Sequence, residues 1–275
     1  ASSSAKPAVG FIGLGVMGRP MAGHLLDAGY PLTVWGRRPA STEPLAEMGA
    51  AVAATPAEVG RRAEIVFTVV TSGSDVKSVV LGEAGLIEGL APGSVVVDMS
   101  TIAPAAARDL AARLQARGVD FVDAPVSGGE PKAIDGTLSV MVGGDKALFD
   151  KYYDLLKAMA GSVVHTGEIG AGNVTKLANQ VIQEILSGRL TQGARLPGSR
   201  TLADELGINR KTVQSVYEDL EAQGWLVSKA RQGTFVSEYL PDLNAQPAAS
   251  VQLQQDAPAA SAQPQMKMTA FLTTG

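Results

Sequence analysis

Gly10-Phe11-Ile12-Gly13-Leu14-Gly15-Val16-Met17-Gly18 is the stretch on which the fold turns. An apolar run breaks into three glycines at G-x-G-x-x-G spacing, Gly13, Gly15 and Gly18, and an amphipathic pattern from Met17 to Ala28 comes at once after it. Strand, tight turn and helix start in that order make a cradle for the phosphates of a dinucleotide. Gly13 makes the turn, Gly15 lets the backbone approach a pyrophosphate, and Gly18 lets helix and strand pack closely. The unpaired N–H groups and dipole of the helix start favour an anion there. Gly13, Leu14, Gly15, Val16, Met17 and Gly18 are therefore the first candidate cofactor-binding residues.

Outward from this turn the chain alternates short apolar runs with amphipathic stretches. Strands are expected at Ala8–Gly13, Leu32–Trp35, Ile65–Val70, Val95–Met99, Val119–Val122, Ser139–Val142 and Val163–His165. Helices are expected at Met17–Ala28, Pro104–Arg117 and Lys146–Ala160, among others. That alternation predicts an α/β fold, a Rossmann-type doubly wound and mostly parallel sheet. A helical period runs from Gly170 to Leu190, then short helices and a hairpin. Past Pro241 the chain turns to Ala, Gln, Pro and Ser, the composition of a disordered linker.

The 275 residues suffice for about two domains. The absence of Cys excludes a disulfide-stapled module, and with only His24 and His165 there is no Cys/His metal site. No metal is expected, and both histidines read as structural. No run reaches the roughly 18 apolar residues of a membrane span. Ala1–Lys6 has no apolar segment and reads as a tail, so a soluble cytoplasmic protein is expected. Net charge is −4, divided as −3 over residues 1–182, 0 over 183–240 and −1 beyond. A globally basic nucleic-acid binder is excluded, while a locally basic face is not.

The second strand ends in Trp35-Gly36-Arg37-Arg38, where an NAD-preferring site carries a carboxylate for the ribose hydroxyls. A carboxylate would repel a 2′-phosphate, and guanidinium forks bind one. Arg37 and Arg38 thus point to NADP(H) as the preferred cofactor, with NAD(H) as the alternative.

Three further stretches sharpen this reading: Asp98-Met99-Ser100-Thr101-Ile102-Ala103-Pro104, Asp123-Ala124-Pro125-Val126-Ser127-Gly128-Gly129, and Gly170-Ala171-Gly172-Asn173-Val174-Thr175-Lys176-Leu177-Ala178-Asn179-Gln180. With the glycine turn, and in this order, they resemble the β-hydroxyacid dehydrogenase family, which includes 3-hydroxyisobutyrate dehydrogenase and tartronate semialdehyde reductase. The stretch from Gly128 to Asp150 is most similar to the tartronate semialdehyde branch. The resemblance covers residues 8–182 and implies an NAD(P)-dependent oxidoreductase acting on a small 3-oxo or 3-hydroxy acid. It gives Lys176 the role of proton donor to the carbonyl, and base in reverse, and it places Val70, Thr71 and Thr101 on the cofactor. Ser127, Gly128 and Gly129 form a small-residue turn whose hydroxyl and N–H groups suit a substrate carboxylate. Asn179 and Gln180, one turn past Lys176, are candidates for orienting substrate; many relatives carry Asn in place of Gln180.

In that family the helix bearing Lys176 continues into an all-helical domain that closes the pocket. After Ile182 the resemblance stops, so Lys176 is expected to be exposed to water. The next segment resembles a different family. Pro197-Gly198-Ser199-Arg200-Thr201-Leu202-Ala203, Gly207-Ile208-Asn209-Arg210-Lys211-Thr212-Val213, Gly224-Trp225-Leu226-Val227 and Gln232-Gly233-Thr234-Phe235-Val236 resemble the GntR winged helix-turn-helix, over residues 179–238, and the tail resembles the linker of its MocR branch. Two helices, Thr201–Leu206 and Lys211–Gln223, are joined by a turn through Gly207. Arg210, Lys211, Thr212 and Gln214 then start the recognition helix, where side chains reach major-groove edges. Arg200 and Thr201 suit phosphates, and Lys229 and Arg231 arm the wing. Duplex DNA joins the small carboxylic acid as an expected partner, with no membrane, and a homo-oligomer is expected because such modules bind as dimers.

The expected organisation is a tail at 1–7, an NADP-binding dehydrogenase domain at 8–182, a winged helix-turn-helix at 183–240 and a disordered tail at 241–275. The two modules form a chimera joined within one helix around Asn179–Glu184. An oxidoreductase is the first functional reading. The second is a DNA-binding regulator whose Rossmann domain senses nucleotide.

Overall fold

A computed structural model describes residues 6–206 and 210–241. The Gly207 turn and the tail after Pro241 lie outside the described residues. In order the elements are β1 (Val9–Ile12), α1 (Gly18–Asp27), β2 (Leu32–Trp35), α2 (Glu43–Glu47), β3 (Ala51–Val52), α3 (Pro56–Arg62), β4 (Ile65–Thr68), α4 (Gly73–Leu81), β5 (Val95–Asp98), α5 (Pro104–Gln115), β6 (Asp120–Asp123) and β7 (Val126–Ser127). They continue with α6 (Gly129–Ile134), β8 (Leu138–Gly143), α7 (Lys146–Lys157), β9 (Ala160–Gly167), α8 (Ala171–Leu186), α9 (Ser199–Leu206), α10 (Arg210–Ala222), β10 (Leu226–Lys229) and β11 (Gly233–Val236). The chain divides into two compact units, one ending at Lys176 and the other beginning at Leu177.

In the first unit the sheet runs β3-β2-β1-β4-β5-β6-β8-β7, with β9 on β8. The pairs from β3 to β6 are all parallel, and β8 runs antiparallel to both β6 and β7. Every residue of β1, β4 and β5 is buried, as expected of strands covered on both faces. Alternate side chains feed two cores. Phe11, Val34, Phe67 and Val97 pack with Met21 and Leu25 of α1 and Phe149 and Leu155 of α7. Ile12, Val66 and Val96 pack with Val59 of α3, Val76 and Val80 of α4, and Leu110 and Leu114 of α5. The chain steps outward from β1 to β2 and β3, then returns to the other side of β1 with β4. The order reverses there, so the crevice between the loops after β1 and β4 opens at the carboxyl ends of the strands.

The turn after β1 is closed by contact between backbones. Gly13 has φ +101°, and a Cβ on it would stand 1.9 Å from the Val69 carbonyl oxygen. A Cβ on Gly18 would stand 1.8 Å from the carbonyl oxygen of Gly13. A side chain at Gly13 would force the turn off the end of β4, and one at Gly18 would force α1 off the turn. Both histidines are structural: His24 Nε2 lies 3.0 Å from the carbonyl oxygens of Ala133 and Ile134, and His165 Nε2 lies 2.8 Å from that of Gly144.

In the second unit α9 and α10 pack over Leu202, Val213, Val216, Tyr217 and Leu220, with Trp225 and Val236 closing the core. The hairpin β10–β11 is antiparallel. Residues 193–196 run beside it, tied by Leu196 N–H to Thr234 O (2.9 Å) and Val236 N–H to Ala194 O (2.9 Å), with an isolated bridge between Arg195 and Phe235. Two helices followed by an antiparallel hairpin give the element order of a winged helix-turn-helix. α8 itself is closed at its carboxyl end by Arg189, whose guanidinium donates to both carboxylate oxygens of the buried Glu184 at 2.9 and 2.8 Å.

Candidate active site and nucleic-acid face

The loops after β1, β2, β4 and β5 bring the expected cofactor residues to one edge. Gly15 is exposed, with nothing within 4 Å of the position a Cβ would take. The peptide there is open to a ligand, as close backbone approach by a pyrophosphate requires. Leu14 is buried, Met17 half-buried, and Val16 exposed in the open loop. Arg37 and Arg38 come just after β2 and are both exposed; Arg37 lies 3.6 Å from the Asp75 carboxylate at the start of α4. Val70 N–H donates to Ser100 Oγ at 3.0 Å, which sets the Val70-Thr71 loop beside Ser100-Thr101. These residues fit a dinucleotide, with glycine peptides for the pyrophosphate and guanidinium groups beyond the second strand.

Farther along the same edge lie groups that the sequence did not single out. Asp98 ends β5 and Asp123 ends β6, side by side in register and both fully buried. Asp98 Oδ1 accepts from Thr68 Oγ1 at 2.8 Å and from Ser100 N–H at 3.2 Å, while its Oδ2 has no hydrogen-bond partner. Burial pushes the Asp98 carboxyl up to about 7. Asp123 is also raised by burial, although it accepts from Gly170 N–H (2.6 Å) and from Asn173 N–H and Nδ2 (both 3.0 Å). The legible signal for both was an acidic residue closing an apolar strand.

Lys176 corrects an expectation. It is 2% exposed, not open to water, because its Nζ turns onto the sheet edge and donates to Val126 O at 2.9 Å. Burial lowers its pKa from 10.5 to about 8. Val126 is followed directly by the half-buried Ser127 and by Gly128 and Gly129, with φ of +135° and +66°. Lys176 and the Ser127–Gly129 turn are thus brought together within the first unit. Asn179 and Gln180, half-buried, come next on α8 in the second unit.

On the winged unit Arg200, Thr201, Arg210, Lys211, Lys229 and Arg231 are exposed, and Gln214 is half-buried. Arg210 Nε donates to Ser199 Oγ at 3.2 Å, which links the starts of α9 and α10. Arg231 sits at the hairpin turn with φ +62°. Thr212 corrects a second expectation. It is 8% exposed and belongs to the buried face of α10 beside Val213 and Val216, so its hydroxyl is not presented at the helix surface. Successive helix residues turn by about 100°, and Thr212 falls on the inner side with Val213.

Residues 8–167 match the NAD binding domain of 6-phosphogluconate dehydrogenase. The chain belongs to this family. Residues 173–236 match the bacterial regulatory proteins of the gntR family, so this dehydrogenase-type chain carries a GntR domain that begins within α8. An oxidoreductase of Shewanella frigidimarina is 37% identical over 233 residues, covering 84% of this chain and 78% of its own. The mitochondrial 3-hydroxyisobutyrate dehydrogenase of mouse is 39% identical over 184 residues, covering 67% of this chain and 55% of its own. Among solved structures, the 3-hydroxyisobutyrate dehydrogenase of Mycobacterium tuberculosis with L-serine superposes with a TM-score of 0.63 at 29% identity, covering 79% of this chain and 70% of that one. The protein is thus a 3-hydroxyisobutyrate-dehydrogenase-like oxidoreductase by family. No helix among the described residues is long and apolar enough to cross a membrane, and no cluster there suits a metal.

The burial of Lys176 has a thermodynamic signature. The folded chain releases this proton near pH 8, the unfolded chain near 10.5. The unfolded state therefore binds more protons between those values, and stability rises with pH across that window. At about 1.4 kcal/mol per pH unit the contribution is roughly 3 kcal/mol. Lys176→Met removes it. Its stability advantage over the parent, measured by urea unfolding, is expected to shrink by roughly 3 kcal/mol from pH 8 to 10.5. Parallel stabilities at the two ends would contradict the buried amine.

Proposed function

We propose that the protein is an NADP(H)-dependent reductase of a small 3-oxo acid, of the tartronate semialdehyde type, with Lys176 as its proton donor. The observation that carries this reading is the buried Lys176 amine held 2.9 Å from Val126 O, beside the Ser127–Gly129 turn and on the same sheet edge as the glycine cradle. A bound reduced nicotinamide would supply hydride. Gly13 to Gly18 would hold its pyrophosphate, Val70, Thr71 and Thr101 would line its course along the edge, and Arg37 and Arg38 would take a 2′-phosphate. The N–H groups and hydroxyl of Ser127–Gly129 would fix the substrate carboxylate. As the carbonyl carbon is reduced its oxygen gains negative charge, and the ammonium of Lys176 gives it a proton. An amine that titrates near 8 suits both directions, acid below that pH and base above it.

A second activity is favoured by a separate observation. The winged unit exposes Arg200, Arg210, Lys211, Lys229 and Arg231 on a module of two packed helices and an antiparallel hairpin. We infer that it binds duplex DNA, with α10 in the major groove and the hairpin turn alongside.

NADPH oxidation with tartronate semialdehyde is expected in the wild type and is expected to fall about 10²–10⁴-fold in Lys176→Ala; a rate independent of Lys176 overturns its role. The double variant Arg37→Ala/Arg38→Ala is expected to raise the NADPH dissociation constant at least about tenfold and leave that for NADH within about twofold. Equal changes for both cofactors would remove the case for NADP(H). On a mixed-sequence duplex, binding is expected to weaken with salt, and Arg200→Ala to reduce the slope of log K against log salt by about 1. Binding that ignores salt would defeat the nucleic-acid reading.

A further inference from the structure

The first turn of α8 is docked on the sheet by one carboxylate. Asp123, the last residue of β6, accepts Gly170 N–H at 2.6 Å, Asn173 N–H at 3.0 Å and Asn173 Nδ2 at 3.0 Å. All three donors belong to the start of the helix that carries Lys176. The other end of the Asn173 amide faces the neighbouring strand's loop, where its Oδ1 accepts Ile102 N–H at 3.1 Å. One side chain thus joins α8, the end of β6 and the loop after β5. The approach is close enough to exclude any side chain at Gly172, where a Cβ would stand 2.4 Å from Met141 O and 2.9 Å from Asp123 O.

The spacing gives this joint a consequence. Lys176 is three residues past Asn173, and Val126, whose carbonyl receives the Lys176 amine, is three residues past Asp123. Two cross-links, Asp123 to Asn173 and Val126 to Lys176, are therefore offset equally in the two segments. Residues three apart share a helix face, so the first link sets both the height and the rotation at which the second is presented. We propose that Asp123 and Asn173 are positioning residues, which hold the Lys176 ammonium at the substrate turn without touching the reacting atoms. This rests on the reading of Lys176 as the proton donor. An ordinary helix cap would steady α8 equally well, but it would leave the state of the Lys176 amine unchanged when the amide arm is cut back.

The test monitors the lysine itself. In the full chain with 13Cε-labelled lysine, the Lys176 resonance is identified by its loss in Lys176→Arg and then tracked against pH. It is expected to titrate near 8 in the parent. In Asn173→Ala it is expected to move toward the ordinary 10.5 by about one unit or more, as the amine slips from its buried seat. Turnover is expected to fall about 10–100-fold in kcat, with the NADPH dissociation constant within about twofold of the parent. A folded Asn173→Ala whose Lys176 titrates as in the parent overturns the proposal, whatever its melting temperature. Asp123→Asn, which keeps the shape and loses the charge, is read by the same criteria should the alanine variant fail to fold. If the titration moves in a protein that shows no Lys176-dependent turnover in any variant, the positioning frame stands and the proton-donor reading falls.

Discussion

The contact between the turn after β1 and the strand end at Val69 admits no atom beyond the backbone, and the rest of the site is hung from it. Ile12 O receives Val69 N–H at 2.8 Å, Thr68 O receives Met99 N–H at 2.8 Å, and Asp98 O receives Ala124 N–H at 2.7 Å. These bonds form one ladder across the carboxyl ends of β1, β4, β5 and β6. At about 4.8 Å per strand it spans about 14 Å, from the glycine turn to the segment that receives Lys176. Each loop leaves the sheet from a fixed rung, so the glycine turn and the Val126 carbonyl that receives the amine are set at a distance by backbone alone. Side chains then refine local direction, as Ser100 does for Val70.

The parts of this arrangement that repeat along the chain are legible in the sequence. Buried parallel strands read as apolar runs, and each of the expected runs forms a strand. The short strands β3 and β7 and the segment 193–196 that bonds to β11 are not legible there. Two to four residues carry no periodicity, and their pairing depends on partners far along the chain. Lys176 shows the same limit from the other side. Its sequence neighbourhood says helix, but only Val126, fifty residues earlier, says that the amine is buried. Thr212 is misplaced for a similar reason, since helix rotation is fixed by the core of the winged unit and not by the local string of polar residues.

α8 explains how two families meet without breaking the chain. Val181, Ile182 and Ile185 are buried and recur at the spacing of an amphipathic helix, while Gln183 and Leu186 are exposed. Such a stripe satisfies any fold that needs one apolar helix face, so a dehydrogenase helix can become the first helix of a GntR domain without a change of register. The match to the gntR family accordingly begins at residue 173, ahead of Lys176. The two demands fall at opposite ends of the helix. Asn173 and Lys176 answer to the sheet, and Glu184 answers to Arg189 at the helix end.

Electrostatics at the sheet edge then come from one source. Asp98 and Asp123 are shifted up and Lys176 down, and in all three burial is the main cause. Direct pairing between an acid and the amine would have moved them the opposite way, down for the acids and up for the amine. The edge is therefore a dry environment that disfavours charge of either sign. In such a medium the field of each fixed dipole is stronger than in water. The Val126 carbonyl and the N–H groups of the Ser127–Gly129 turn consequently carry more weight than their number suggests.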